Sequence, residues 1–470
     1  MEQPLIHLKQ RAGEDWLIGY ESHQFEHLTD QLFQQLIQLS KYGISPTILL
    51  AEENPWRFLA AFLTAVAANC PVFLCNPNWA NQEWQQIFKI VQPDLIFGQA
   101  ANSFLPLSSS PSPPILPSLT HNSGLIMIPT GGSSGKIRFA IHTWETLMAS
   151  VRGFHQYFAE KPVNSFCVLP LYHVGGLMQF LRSLTTGGRL AVMPFKALTV
   201  GEGRDIDPTE FFISLVPTQL SRLIASDSAV WLSRFQTVLL GGAPAWSALL
   251  EQARRYKIPL APTYGMTETA SQIVTLKPDD FLKGNNSCGQ VLPHAQVTIR
   301  STAGEILDAN QTGIITIESN SLALGYYPEE KRKDPERKIQ NLKSDDLGFL
   351  DDWGYLTIVG RCSHKIISGG ENVFPSEIEA VIRATQLVTD VCVIGLPCSD
   401  WGQVVTAVYV PNAPHVSPAL LQAALENKLS KYKQPKHWAA VAHLPRNVQG
   451  KINYEQLKEL AVHSLGLVQK

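Results

Sequence analysis

At 470 residues the chain is too long for one hydrophobic core, so two or more domains are expected. An apolar fraction of 45%, a charged fraction of 17% and a formal net charge of -2 fit an ordinary globular protein, without the basic footprint that nucleic acid or an anionic membrane selects. The chain has no apolar run of about 18 residues, no basic-then-apolar leader after Met1, and no Cys-x-x-Cys pair among its seven cysteines. It is therefore expected in the cytoplasm, without membrane insertion, nucleic-acid partner, zinc site or disulfide framework.

In chain order, Thr47 to Ala51 predicts a strand, Pro55 to Asn69 a helix and Pro71 to Cys75 a second strand, a spacing that suits a right-handed βαβ crossover. A helix over Gln82 to Val91 and a strand over Asp94 to Phe97 follow. Ala101 to His121 is rich in Ser and Pro and reads as an exposed loop. Strands at Leu125 to Ile128 and Phe139 to Ile141 then flank Thr130-Gly131-Gly132-Ser133-Ser134-Gly135-Lys136. Such a loop can wrap a polyphosphate with N–H and O–H donors, and a plain Gly/Ser hairpin turn reads the same way. It is no Walker A loop, because Ile137 follows the lysine and the first glycine stands one residue too close.

The α/β rhythm continues with a strand at Phe166 to Leu169, then Tyr172-His173-Val174-Gly175-Gly176 and a helix to Leu184. Arg182 stands out on that apolar helix: either it snorkels to solvent or it awaits an anionic partner. A strand at Arg189 to Met193 and a helix over Gln219 to Ala225 lead to the strand Val238 to Leu240, which ends in Gly241-Gly242-Ala243-Pro244. A helix over Ala245 to Tyr256 and a strand near Leu260 then deliver Thr263-Tyr264-Gly265-Met266-Thr267-Glu268-Thr269-Ala270-Ser271, read as a polar loop. Ligands of open α/β sheets sit at such strand ends. The stretch offers an aromatic face, a hydroxyl and a carboxylate, fit for a purine, a phosphate and Mg²⁺. Alone, it fits a helix-capping surface turn equally well.

Val297 to Glu318 predicts a small β subdomain, Glu329 to Lys343 a solvated charged segment, and Asp351 to Tyr355 a hairpin turn before Arg361. Beyond lie a strand (Lys365 to Ile367), Gly369-Gly370, a helix (Pro375 to Thr385), strands at Val391 to Gly395 and Val404 to Tyr409, and a helix (Pro418 to Leu429). The expected fold is α/β. A large N-terminal domain (1–361) of layered sheets with a small β subdomain precedes a small mobile α+β domain (362–470).

Taken together, Thr130 to Lys136, Gly241 to Pro244, Tyr264 to Glu268, Asp346-Leu347-Gly348-Phe349, Gly360-Arg361, Ser368 to Asn372 and Gly450-Lys451 resemble the adenylate-forming superfamily of acyl-CoA synthetases. The resemblance covers residue 45 to the C-terminus, and the ordered set is far more specific than any one motif. Pro170 to Leu177, Leu215 to Leu223 and Tyr264 to Leu276 look most like its o-succinylbenzoate–CoA ligase branch, which serves menaquinone and phylloquinone synthesis.

That resemblance implies ATP, Mg²⁺, coenzyme A and o-succinylbenzoate as small-molecule partners, with homo-oligomerisation left open. Lys451 would bridge the attacking carboxylate and the α-phosphate, with Thr267 on the phosphate and Glu268 on Mg²⁺. Asp346 and Arg361 would hold the ribose. Tyr264, Gly265, Met266 and Gly241, Gly242 and Ala243 would surround the adenine. Thr130, Gly131, Gly132, Ser133, Ser134, Gly135 and Lys136 would hold the outer phosphates. Coenzyme A would enter beside Gly369 and Gly370 after rotation about Ser363. His173, Gly175, Arg182, Ser271 and Gln272 would line the acid pocket, with Arg182 and His173 facing the second carboxylate. The phosphate loop departs from the family's Gly-Lys-Pro-Lys-Gly, reading Gly135-Lys136-Ile137-Arg138-Phe139, and Ser344-Asp345-Asp346 replaces Thr-Gly-Asp. Another aryl- or acyl-CoA ligase, an adenylation domain that loads a carrier protein, and a non-catalytic binding protein remain as alternatives.

Overall fold

The computed structural model describes residues 4–40, 45–98, 124–130, 137–159, 161–226, 228–328, 341–368, 371–398, 401–426, 428–446 and 452–466. Among them the strands form four sheets. The largest runs Leu17–Ile18, Leu190–Val192, Asn164–Cys167, Phe211–Leu215, Thr237–Leu240, Leu260–Met266, Ser271–Thr275, Gln290–Val291 in spatial order. It is parallel as far as Leu260–Met266 and antiparallel beyond. The second runs Gly325–Tyr327, Arg138–His142, Ile126–Thr130, Val72–Leu74, Ile48–Leu50, Leu95–Phe97. Its last four strands are parallel, as the βαβ spacing predicts.

Alternation along a strand explains why Ile48, Leu49 and Leu50 are all buried. Ile48 and Leu50 enter a core shared with the helices, while Leu49 joins Phe73, Trp84 and Phe139 on the opposite face. The helices Pro55–Ala67, Trp144–Tyr157 and Val174–Thr186 supply that shared core with Leu59, Phe62, Leu147, Met148, Phe180 and Leu181. Their ends are set locally. The Asn54 side chain accepts from the Trp56 and Arg57 amides ahead of Pro55, and Gly187 closes the third helix at φ 79°.

The β subdomain is the antiparallel sheet Ala295–Arg300, Gly313–Ser319, Leu342–Leu350, Leu356–Arg361. Past it, Glu371–Val373, Ile366–Ser368, Gly402–Pro411, Val388–Cys398 and His437–Ala440 form the fourth sheet. The helices Pro375–Ala384, Pro418–Leu425 and Tyr454–Ser464 accompany it, and its two apolar clusters draw only on residues beyond Arg361. The result is the expected α/β architecture with a smaller α+β unit at the C-terminus. Among the described residues no helix is long and apolar enough to cross a membrane.

The structure corrects two boundaries. Residues 329–340 lie outside the described residues, but Leu342 and Lys343 begin the strand Leu342–Leu350 rather than ending a solvated segment. The expected polar loop at Thr263 to Ser271 is mostly strand. Leu260–Met266 runs through Tyr264 and Gly265, a single 3₁₀ turn spans Thr267–Thr269, and Ser271–Thr275 returns antiparallel. The sequence reading also lacks the helix Trp144–Tyr157, although Trp144, Leu147, Met148, Val151 and Phe154 recur at helical spacing.

Gly265 permits this tight hairpin. A Cβ there would lie 2.2 Å from the Ser271 carbonyl oxygen and 2.5 Å from Gln272 Cα, both immovable backbone atoms. Gly265→Ala is therefore expected to lower the unfolding free energy by about 1–3 kcal/mol in a urea titration. An unchanged midpoint would contradict the close approach.

Candidate active site

The Thr267–Thr269 turn lies where the two large sheets meet, and contacts from several elements pin it. His142, on the strand Arg138–His142, places Nε2 2.8 Å from the Thr267 carbonyl and Nδ1 3.0 Å from Thr146 Oγ1. A carbonyl only accepts, so the imidazole proton sits on Nε2. The Ala323 amide donates to the Glu268 carbonyl at 2.8 Å, and Ser321 Oγ to the Thr269 carbonyl at 2.9 Å. Ser150 Oγ donates to the Ala270 carbonyl at 2.7 Å. The hydroxyl of Thr269 caps the Met266 amide. These bonds hold Ala270 at φ 51° and Ser271 at φ 92°, left-handed values that side chains other than glycine rarely adopt.

The carboxylate of Glu268 is half-buried and accepts from the Tyr326 hydroxyl at 2.7 Å through Oε1. Among the described residues Oε2 accepts no hydrogen bond and Glu268 makes no ion pair. A single carboxylate with one open oxygen, beside the Thr267 hydroxyl, fits Mg²⁺, which takes one or two carboxylates and completes its shell with phosphate and water oxygens.

A second cluster lies on the neighbouring hairpin. Asp346 and Arg361 are cross-strand partners, and Arg361 Nε donates to Asp346 Oδ1 at 3.0 Å. The hydroxyl of Tyr264 donates to Asp346 Oδ2 at 2.8 Å. Burial first, and the Asp346 charge second, push the phenol's pKa upward, so it stays a donor. The lone pairs left on Asp346 can accept from a vicinal diol. Gly241, Gly242 and Ala243 follow the strand Thr237–Leu240, the parallel neighbour of Leu260–Met266. A Cβ on Gly241 would meet Thr263 Oγ1 at 2.5 Å, so that loop lies against the start of the hairpin.

The third cluster surrounds Arg182, which is 2% exposed on the helix Val174–Thr186. Its Nη2 donates to Gln272 Oε1 at 2.9 Å and Ser271 Oγ at 3.3 Å, and Ser271 Oγ donates to Gln272 Oε1 at 2.7 Å. The guanidinium stands 4.0 Å over the Phe154 ring. Burial pushes its pKa down to about 9, which leaves it charged at neutral pH. Among the described residues no carboxylate pairs with it, and Arg182 Nε and Gln272 Nε2 are buried without a hydrogen-bond partner. A buried unpaired cation is costly, and an incoming anion relieves it. The ring of His294 approaches from the far side, against Gly153. Burial, reinforced by Arg182, lowers its pKa to about 4.

Thus the structure gathers Arg182, Ser271 and Gln272, but not His173. That residue precedes the helix while Arg182 lies in its last turns, about 13 Å away along the axis. Gly175 lies in the first turn, where its carbonyl accepts from Gln179 Nε2 at 2.9 Å.

Thr130 ends the strand Ile126–Thr130 with its hydroxyl 3.3 Å from the Arg138 carbonyl. Gly131, Gly132, Ser133, Ser134, Gly135, Lys136, Gly369, Gly370 and Lys451 lie outside the described residues. An isolated bridge between Arg446 and Ile452 brackets the stretch that carries Lys451. Ser363 stands in the turn after Arg361. Its amide donates to Asp345 Oδ1 at 3.1 Å, and its hydroxyl to Asp345 Oδ2. The sequence reading contains neither His142, Tyr326 nor His294. Each does its work through a partner more than 50 residues away or in another sheet, which no local pattern carries.

Comparison with known proteins agrees with this geometry. The family model described as AMP-binding enzyme matches residues 23–327, and its C-terminal domain model matches 377–451. The chain belongs to the AMP-binding enzyme family. Within it, the chain is 38% identical over 288 residues to a 2-succinylbenzoate–CoA ligase of Oceanobacillus iheyensis, matching 60% of this chain and 58% of that one. It is 36% identical over 338 residues to the Listeria monocytogenes serotype 4b protein of the same name, matching 70% and 68%. The match thus spans less than two thirds of the Oceanobacillus relative. The fold is shared with o-succinylbenzoate coenzyme A synthetase from Bacillus subtilis in complex with ATP and magnesium, at TM-score 0.79, 23% identity and 96% and 99% coverage. It is also shared with ATP-bound MatB from Rhodopseudomonas palustris, at TM-score 0.81, 21% identity and 97% and 98% coverage.

The two histidines give the site a pH signature. The pKa of His142 is lowered from 6.5 to about 4 by burial, against the opposing bond to Thr267. Above the ordinary value its contribution to stability is constant. As pH falls from 6.5 towards 4 the unfolded chain takes up a proton that the native site refuses, so stability is lost across that window, by up to about 3 kcal/mol. Urea unfolding at stepped pH should show this fall, with a shallower slope in His142→Asn. An equally steep slope in the variant would remove His142 from the account.

Proposed function

We propose that this chain is an ATP-dependent acid–thiol ligase that converts o-succinylbenzoate and coenzyme A to o-succinylbenzoyl-CoA, acting in the cytosol. The observation that carries the reading is Arg182, a buried cation held by Gln272 and Ser271 with no carboxylate of the described chain to neutralise it. The substrate brings two carboxylates. One reacts, and the ring carboxylate would rest against Ser271 and Gln272 with Arg182 behind them. A fatty acid would leave that charge unanswered.

In the first half-reaction an oxygen of the succinyl carboxylate attacks the α-phosphorus of ATP, the bond to the bridging oxygen breaks, and pyrophosphate leaves. In the second the coenzyme A sulfur attacks the acyl carbon, AMP departs with the carboxylate oxygen, and the thiol proton is released. Both steps gather negative charge, so positioned donors and cations carry the catalysis. Asp346 would take the ribose hydroxyls, with Tyr264 and Arg361 fixing both of its oxygens. Thr267 would donate to the phosphates and Glu268 would hold Mg²⁺, which supplies charge neutralisation at the phosphate oxygens. Thr130 and the loop Gly131 to Lys136 would take the outer phosphates, and Gly241 to Ala243 with Tyr264, Gly265 and Met266 the adenine side. Lys451 would bring its charge to the α-phosphate.

The boundary is proposed between Arg361 and Cys362, so that the C-terminal unit, with Gly369 and Gly370, turns about Ser363 between half-reactions. Lys451→Ala is expected to abolish pyrophosphate release while leaving thioester formation from added acyl-adenylate. Ser363→Pro removes the amide that meets Asp345, and should slow thioester formation at least about tenfold more than adenylation. Equal losses in both half-reactions would sink the hinge.

The acid pocket is tested by a pair of substrates. Arg182→Met should cut kcat/KM for o-succinylbenzoate roughly 100-fold. It should leave turnover of 3-benzoylpropionate, which lacks the ring carboxylate, nearly unchanged. If both acids suffer alike, Arg182 is a structural residue. Adenylate without thioester from any acid would instead favour carrier loading.

A further inference from the structure

Tyr326 contacts the proposed metal carboxylate, and the account above gives it no task. It sits on the short strand Gly325–Tyr327, which pairs antiparallel with Arg138–His142 and places Tyr326 opposite Ala140. Its hydroxyl donates to Glu268 Oε1 at 2.7 Å, and the Arg138 guanidinium stands 5.1 Å from its ring centroid. Two residues of one strand thus bear on adjacent residues of the turn. His142 holds the Thr267 backbone, and Arg138 reaches the Glu268 side chain through Tyr326.

We propose that Tyr326 is the positioning residue for Glu268: it occupies Oε1, fixes the rotation of the carboxylate and presents Oε2 to the Mg²⁺ of bound nucleotide. This rests on Glu268 as the Mg²⁺ carboxylate. A free carboxylate on a two-carbon arm samples several rotamers, and each must be given up when the metal binds. A charge-assisted bond already made to one oxygen removes most of that freedom. Arg138, at the end of the phosphate loop, lies over the ring through a planar guanidinium, a contact that lysine would make less well. Tyr326 would couple that end of the loop to the metal carboxylate.

The test measures Mn²⁺ binding to the enzyme saturated with a non-hydrolysable ATP analogue, from the electron paramagnetic resonance signal of free Mn²⁺. Y326F, which removes only the hydroxyl, should weaken Mn²⁺ about tenfold, in the range expected for a partner behind a metal ligand. Adenylation should recover to within about threefold of the parent kcat at saturating Mg²⁺. E268Q is the control and should lose more. If E268Q weakens Mn²⁺ and Y326F does not, the positioning role is wrong while Glu268 keeps its place. If E268Q changes nothing, the Mg²⁺ reading fails and this inference with it. Should Y326F fail to fold, R138M on an exposed side chain carries the test and should weaken Mn²⁺ about threefold. Unchanged affinity there would overturn the link.

Discussion

The constraint on which this structure depends is the sharp reversal at Thr267–Thr269. A parallel sheet ends in a strand that must turn back within three residues, and Gly265 lets the two arms touch. The turn leaves Ala270 and Ser271 at left-handed backbone angles, which costs on the order of 1–3 kcal/mol each. Side chains and amides from elsewhere hold it there: His142 from the second sheet, Ser150 from a helix, and Ser321 and Ala323 from the segment that follows the second strand of the β subdomain. The proposed phosphate and metal groups therefore sit on a rigid corner. Chemistry that depends on placing charge to within a fraction of an ångström needs such a support.

The same corner serves two unlike sites. Upstream of the turn, Tyr264 turns its hydroxyl to Asp346; downstream, the Ser271 hydroxyl and the Gln272 amide oxygen accept from Arg182. One hairpin thus spans the proposed nucleotide side and the proposed acid side, and the Thr267–Glu268 pair lies between them. Successive residues of a strand face opposite ways, and the antiparallel return doubles the number of faces available. The close spacing of the motif in sequence follows from this geometry.

Much of the fold is legible in the sequence because its signals are local. Asn54-Pro55 announces a helix start, Ile48-Leu49-Leu50 a strand buried on both faces, and Gly187 a helix end. Arg182 stands out as a misplaced charge on an apolar helix, whereas its grouping with Ser271 and Gln272 is legible only through the family resemblance. What stays hidden is whatever depends on pairing between sheets. His142 looks like any strand histidine until the Thr267 carbonyl arrives from 125 residues away. Tyr326 looks like one of two aromatic residues on an edge strand until Glu268 is seen beneath its hydroxyl. Conversely, His173 and Arg182 are close in sequence, yet His173 precedes the helix that carries Arg182 and the rise between them is about 13 Å.

The charges at the two ends of the hairpin are handled in opposite ways, and this bears on specificity. Asp346 is neutralised inside the protein by Arg361 and satisfied by Tyr264, so in the proposed role a nucleotide would add hydrogen bonds to a site already at ease. Arg182 has only neutral partners among the described residues, and burial has already lowered its pKa. The cost of keeping that cation in the interior is met by folding and returned when an anion enters. On the proposed reading, a ligand lacking the second carboxylate would bind without that return, so discrimination would arise from the strain of the empty pocket as much as from contacts in the filled one. On the proposed reading, nucleotide recognition would be general, while acid recognition would be made selective by a charge that the described residues alone do not answer.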